Sequence, residues 1–337
     1  MKILFLARRF YPDIGGVEKH VLEVSKRLVE KGHNVTIISE NYHSIDQSDT
    51  QYIKSKQPVK PVRNDHFEIE KIKVLRINCG RDDWFKKFRI WSGMLGIIRE
   101  IRDADVVHCH DVFFWYLPFR FLFPEKKVFT TFHGYEGFPV KKKEIVIRKI
   151  SEFLSHGTIC VGSFIKKWYK ANPDYIIYGG VDFSRKIKKI NAPKAIFFGR
   201  LEDKTGVRTY LKAAAVIKAR IPNFSLEVVN NDPIVTKHLL EFRYAFVSGY
   251  LSILESLAAQ KMVFAVYDNP LKKDYLEMTP FRSFINICQN PKELASKVQY
   301  FYTNKKVEQK QVERGYKWVK SQTWDKVVDT YLKLWQK

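Results

Sequence analysis

Several stretches place chemistry-bearing side chains where a short apolar run gives way to polar residues. One is VSGYLSILE, Val247 to Glu255. Its small turn, Ser248-Gly249-Tyr250, runs directly into an apolar segment that one carboxylate interrupts. In LSILESLAA the apolar residues Leu251, Ile253, Leu254, Leu257, Ala258 and Ala259 nearly cover a helix circumference, as in a buried helix. A carboxylate there needs partners, and the hydroxyls of a ligand would supply them. His133 ends the run VFTTF and precedes Gly134. It either hydrogen-bonds a substrate hydroxyl or carbonyl, or is satisfied within the fold. His108, His110 and Asp111 close another run, VVHCHD. At period two the histidines share one face and Asp111 takes the other, which favours structural histidines over a metal site.

Two loops bear on phosphate chemistry. Gly15-Gly16 precedes a helical pattern. It lets backbone N–H groups approach a phosphate or sugar, or it is a plain tight turn. It is not a dinucleotide fingerprint, because GxGxxG is absent. Gly199-Arg200-Leu201-Glu202-Asp203-Lys204 follows the run KAIFF. A guanidinium binds phosphate oxygens in pairs and an ammonium adds a point charge, so this is a diphosphate loop or a solvated charged one.

The elements that position these residues follow from periodicity. Ile3 to Ala7 is a short apolar run. In VEKHVLEVSKRLVEKG, Val17, Val21, Val24, Leu28 and Val29 recur at helical spacing, and Gly32 is placed to stop the helix. VTIIS reads as a second buried strand, completing a βαβ unit. ADVVHCHD, KKVFTTFHG and GTICVGS continue the alternation. From Lys194 a second series begins: KAIFFGR, GVRTYLKAAAVIKAR, FSLEVVN, YAFVS, LSILESLAA and MVFAVYD. The segment from about Asn172 to Pro193 reads as the linker between the series. Two α/β domains facing a cleft are expected, with ligands at the carboxyl ends of the strands. A chain of 337 residues, 45% hydrophobic, can build two such cores. Cys79, Cys109, Cys160 and Cys288 are too scattered for a disulfide framework or a zinc site, and no run spans a bilayer. The net charge of +23 favours polyanionic partners.

Taken together, the pieces resemble retaining glycosyltransferases of the GT-B fold, glycosyltransferase family 4. FYPDIGGVEKHVLEVSKRLVEKGHNVTIIS is similar to the family's amino-terminal glycine loop and helix, and ADVVHCHD and FTTFHGYE to its middle strands. IIYGGVDFS resembles the "NGVD" element entering the second domain, with a glycine in place of Asn. KAIFFGRLEDKTGV is like the diphosphate loop, and SGYLSILESLAAQKMVFAV like the nucleotide-binding loop and helix. SQTWDKVVDTYLKLW resembles the terminal helix that crosses back. The resemblance implies an α/β protein of two Rossmann-like domains. These are an acceptor domain over residues 1–175, joined by the helix 320–337, and a shortened donor domain over 190–318. It implies transfer of a sugar from a UDP- or GDP-linked donor, a co-substrate, without cofactor or metal. Gly16, with Gly15, would lie near the diphosphate and sugar. Arg200 would neutralise the leaving group, helped by Lys204. Amides around Tyr250, Leu251 and Ser252 would hold phosphate, Glu255 the ribose hydroxyls, and His133 the donor sugar in the transition state. The sequence departs from the pattern at Val247, where the family has an acid that binds sugar hydroxyls. It departs again at Thr205, where the family has a lysine, and in a shortened stretch, 224–248.

Three segments interleave aromatic and basic residues: 84–102, 113–127 and 140–149. Each is either a core helix with a charged face or a surface suited to anionic lipid headgroups. The resemblance implies a lipid-linked or cell-envelope saccharide as acceptor, met in the cytoplasm at the inner face of the membrane, and these segments fit it. No nucleic-acid module is present to suggest that partner. The second reading is a non-catalytic relative that binds nucleotide sugar or anionic membrane.

Overall fold

The computed structural model describes residues 1–13, 15–41, 66–183, 190–230 and 239–337. The first half alternates β1 (Lys2–Ala7), α1 (Gly16–Glu30), β2 (Asn34–Glu40), β3 (His66–Ile69), β4 (Ile72–Ile77), α2 (Lys86–Gly96), α3 (Ile98–Asp103) and β5 (Val106–His110). It continues through α4 (Phe113–Leu122), β6 (Lys127–Phe132), α5 (Lys142–Leu154), β7 (Gly157–Val161), α6 (Phe164–Tyr169) and β8 (Tyr175–Ile177). These strands form one sheet in the order β3-β4-β2-β1-β5-β6-β7-β8, parallel except for the hairpin β3–β4. That hairpin is absent from the sequence-based alternation. Strand β8 pairs with β7 and lies inside the stretch expected to be linker, so the chain leaves the first sheet later than its composition suggests.

The second half contributes β9 (Lys194–Phe198), α7 (Val207–Arg220), β10 (Ser225–Val229), β11 (Tyr244–Phe246), α8 (Tyr250–Ala258), β12 (Met262–Val266) and α9 (Pro270–Glu277). After β13 (Asn286–Cys288) come α10 (Pro291–Thr303), α11 (Lys305–Val319) and α12 (Trp324–Trp335). The second sheet is wholly parallel, in the order β10-β9-β11-β12-β13. Central strands buried on both faces read as unbroken apolar runs, which is why most were visible in the sequence.

Packing explains how the halves are joined. Helix α1 buries Val21, Val24 and Leu28, and Gly32, at a φ of 83°, ends it by donating to the Val29 carbonyl. Helix α12 buries Trp324, Val327, Val328, Tyr331, Leu334 and Trp335, one continuous stripe, against α1 and β7 of the first sheet. Gly180 makes that return possible: a Cβ there would lie 2.6 Å from the Trp324 amide nitrogen. Between the halves runs an aromatic seam in which Tyr250 stacks on Tyr275, with centroids 4.0 Å apart, and Tyr275 meets Phe164 and Tyr135. A single apolar cluster therefore extends from β1 through α12 to α8.

The segment 113–127 belongs mostly to this interior. Phe113, Trp115, Tyr116 and Phe119 are buried, leaving Phe121 and Leu122 outside. The other two segments do present apolar side chains to solvent. Trp84, Phe85, Phe88 and Leu95 are exposed, as are Val146, Ile147, Ile150 and Phe153 on α5. Among the described residues no helix is long and apolar enough to cross a membrane.

Candidate functional site

Among their parallel strands each sheet reverses its order once, between β1 and β5 and between β9 and β11. Open parallel sheets bind ligands outside the carboxyl ends of strands at that reversal. In the first sheet these ends carry the Gly15-Gly16 loop after β1, His110 at the end of β5, and His133 just beyond β6. In the second they carry Arg200 after β9, the Ser248-Gly249 turn after β11, and the 267–269 loop after β12. Two shallow concavities elsewhere lie at amino ends, beside Lys194 and Ser225 and beside Met1 and Val106, the wrong edge for this chemistry.

The glycine loop is held from behind. Arg76 on β4 is buried and donates to Ser39 Oγ and to the carbonyls of Glu40, Phe10 and Tyr11. Beyond the loop, a Cβ on Gly16 would meet nothing within 4 Å, so open space lies beside it, whereas at Gly15 it would strike the Glu18 carboxylate. Burial first, and Glu18 next, push the Asp13 carboxyl up, against the pull of Arg9, Arg76 and Arg200. Arg200 belongs to the other half of the chain, so the two loops face each other.

Sequence reasoning singled out His133 and assigned His110 to structure. The structure joins them and adds His20. His110 Nδ1 and His133 Nε2 are 2.8 Å apart, and the His133 amide donates to Asp111 Oδ1 at 3.0 Å. The His20 ring stands edge-on to His133 with centroids 4.8 Å apart. Burial holds His20 down to about 3 and both His110 and His133 well below the ordinary imidazole value, so all three are neutral at pH 7. Nε2 of His110 is sealed without a partner among the described residues. A bare acceptor is less costly there than an orphan N–H, which places His110's proton on Nδ1, donating to His133. The proton of His133 is then on Nδ1, free of any described protein partner. A signal for His20 existed in the sequence: it falls on the buried face of α1, beside Val21 and Val24.

Helix α12 supports this cluster through a polar chain. Trp335 Nε1, which can only donate, bonds His108 Nδ1 at 3.0 Å. His108, also neutral, therefore donates through Nε2 to Thr131 Oγ1 at 2.7 Å. Thr131 and Tyr331 share a hydroxyl contact at 3.0 Å, and Tyr331 reaches His20 Nε2 at 2.9 Å.

On the opposite side, Arg200 and Lys204 both turn to Glu202, at 3.5 and 2.8 Å. Burial would raise the Glu202 carboxyl, but the Lys204 hydrogen bond and the charges of Arg200, Lys204 and Arg9 hold it below its usual range. Thr205 spends its hydroxyl on the carbonyls of Arg200 and Glu202. Helix α8 begins at the Ser248-Gly249 turn, and its first amides lack intrahelical acceptors. The Tyr250 amide, expected to hold phosphate, is instead taken by Tyr275 Oη at 3.0 Å, which leaves those of Leu251 and Ser252. Val247 is fully buried in the core. Glu255 is engaged by Lys19 of α1, an ion pair between the two halves. Among the described residues no group of three or more His, Cys, Asp or Glu is arranged to hold a metal ion. Lys272, buried beside the Ser248 turn, had no signal in the sequence.

Two Rossmann-like domains whose ligand edges face one another define the GT-B architecture of glycosyltransferases. The structure superposes on sucrose-phosphate synthase from Thermosynechococcus elongatus with a TM-score of 0.72 at 12% identity, covering 99% of this chain and 98% of that one. It superposes on a glycosyltransferase from Rickettsia africae at 0.66 and 17% identity, covering 99% and 97%. For Anabaena HepE, solved in complex with UDP and glucose, the values are 0.69 and 10%, covering 99% and 98%. No curated protein matches by sequence. The model of Glycosyltransferase Family 4 matches residues 14–185, just over half of the chain, and the protein belongs to that family.

Proposed function

We propose that this glycosyltransferase is retaining and metal-independent, and moves a sugar from a UDP- or GDP-linked donor to a lipid-linked or envelope saccharide. The observation that carries the reading is the convergence of Gly16 and His133 from one half with Arg200, the α8 amides and Glu255 from the other. Glu255 would take the ribose hydroxyls once Lys19 releases it, and the amides of Leu251 and Ser252 the phosphate. HepE, of the same fold, was solved with UDP and glucose, which supports a nucleotide at this edge.

In the reaction the bond from the anomeric carbon to the phosphate oxygen breaks. The acceptor oxygen bonds to the same face, and its proton leaves on the departing diphosphate. The protein's contribution is electrostatic: Arg200 spreads charge off the leaving group, and His133 Nδ1–H donates a hydrogen bond to the donor sugar. A lipid-linked acceptor fits the exposed apolar residues of α2 and α5, which sit among lysines and arginines at a net charge of +23.

The second reading, a relative that binds without transferring sugar, is favoured by Val247, which is apolar and buried at the site end of β11. Incubation with a panel of UDP- and GDP-sugars and a membrane extract separates the two. Release of nucleoside diphosphate supports transfer. Tight nucleotide binding with no turnover of any donor overturns it in favour of the second reading.

A further inference from the structure

Lys272 is the third residue of α9, where the Asn269 side chain caps the helix by accepting from the Lys272 amide at 2.8 Å. Its side chain is only 6% exposed. Nζ donates to the Ser248 carbonyl at 2.7 Å and stands 4.0 Å from the centroid of the Tyr275 ring. One of its three N–H bonds is thus met by a carbonyl and a second by an aromatic face. The third has no acceptor among the described residues. Asp268 favours its charge and Lys204 opposes it, but burial dominates and takes the ammonium down to about 7.

A buried cation without a carboxylate is costly, and proteins keep one mainly where something anionic comes to it. Its location says what. Nζ is bonded to the turn that opens α8, whose Leu251 and Ser252 amides lie three and four residues further on. The other cations at this edge are compromised: Glu202 claims both Arg200 and Lys204, and Thr205 faces backbone carbonyls. An ammonium beneath a helix amino terminus forms a two-part oxyanion site.

We propose that Lys272 is an anion-binding residue of the donor site, receiving an oxyanion of the nucleotide sugar beside the α8 amides. This rests on the donor-site reading given above. The oxyanion is either a diphosphate oxygen or a carboxylate on the transferred sugar, and both present the same chemistry to Nζ.

The test compares the wild type with Lys272→Met and Lys272→Gln, measuring calorimetric affinities for inorganic pyrophosphate, UDP, GDP, uridine and guanosine. Turnover of a nucleotide-linked uronic acid and of its neutral counterpart completes the set. Glutamine keeps an N–H for the Ser248 carbonyl, so it rescues a merely structural role but not an anion-binding one. For a diphosphate oxygen, both variants lose at least about tenfold in pyrophosphate and nucleoside diphosphate affinity while nucleoside binding holds. For a sugar carboxylate, those affinities hold and the preference for the uronic acid disappears. A glutamine variant that matches the wild type on every ligand overturns the role of Lys272 and leaves the donor site standing. A wild type that binds none of the nucleotides, nucleosides or pyrophosphate overturns both.

Discussion

Lys19 on α1 and Glu255 on α8 form an ion pair across the cleft, which ties up the carboxylate proposed to hold the ribose. Burial opposes the charge on Lys19, but Glu255, and more weakly Glu23 and Asp182, raise its affinity for the proton. On the proposed donor-site reading, a nucleotide displaces Lys19 from Glu255. Two variants separate ligand from latch. Glu255→Ala should weaken nucleoside diphosphate binding. Lys19→Met should strengthen binding of an uncharged nucleoside, by up to about fivefold, since a partly exposed pair contributes at most about 1 kcal/mol. If Lys19→Met leaves nucleoside affinity unchanged, the pair does not compete with the ribose.

His133 should separate binding from chemistry. It is held neutral by burial and fixed by His110 and by its own amide on Asp111, so the role proposed for it is to donate a hydrogen bond rather than a proton. His133→Ala is expected to lower kcat by about a hundredfold, the loss that follows removal of one preorganised donor, with nucleotide affinity kept. Because the imidazole does not charge, no limb of the pH–rate profile near the ordinary histidine value should depend on His133. A limb at that pH which vanishes in His133→Ala would show instead that the imidazole titrates.

The same burial has a consequence for stability. His20, His108, His110 and His133 bind protons less readily folded than unfolded, with His20 down to about 3 from 6.5. Between those two values the unfolded chain holds more protons, so unfolding becomes easier as pH falls. The stabilisation is complete above about pH 6.5 and declines below it, by up to about 1.4 kcal/mol per pH unit for each histidine. Urea unfolding at pH 8, 6.5 and 5.5, above the usual carboxylate range, should show the larger drop in the last interval. Equal stabilities across all three would mean these imidazoles charge within the fold.

Much of this architecture could be read from residue order, for reasons that also explain the failures. Parallel strands leave continuous apolar runs, and α1 shows its stripe, so the βα alternation was legible. Glu255 stood out because a carboxylate inside an apolar helix demands a partner. That partner, Lys19, lies 236 residues away, and nothing local identifies it. Nothing local in PLKKDYLE marks Lys272 as buried, since what buries it is a turn and a tyrosine stack completed by other elements. In segment 113–127 the mixture of aromatic and basic residues has the same composition whether the helix faces core or solvent, and here it faces the core.

The membrane expectation now concentrates on α5. Its outer face carries Val146, Ile147, Ile150 and Phe153, the last 87% exposed, while Arg148 and Ser151 turn inward. Lys141, Lys142 and Lys143 are exposed at its start. A helix with apolar side chains outward and cations beside them lies on an anionic surface by burying the former and neutralising the latter. Near such a surface each lysine contributes about 1 kcal/mol. Changing all three to glutamine should therefore cut partitioning onto phosphatidylglycerol vesicles by on the order of a hundredfold. Phe153→Ser should weaken partitioning further, and about 1 M salt should abolish the lysine contribution, because screening then acts within about 3 Å. Sedimentation with anionic and with purely zwitterionic vesicles reads these effects. Equal binding to both, or no loss in the triple glutamine variant, would remove α5 from the membrane-facing surface and leave its apolar face to a protein partner.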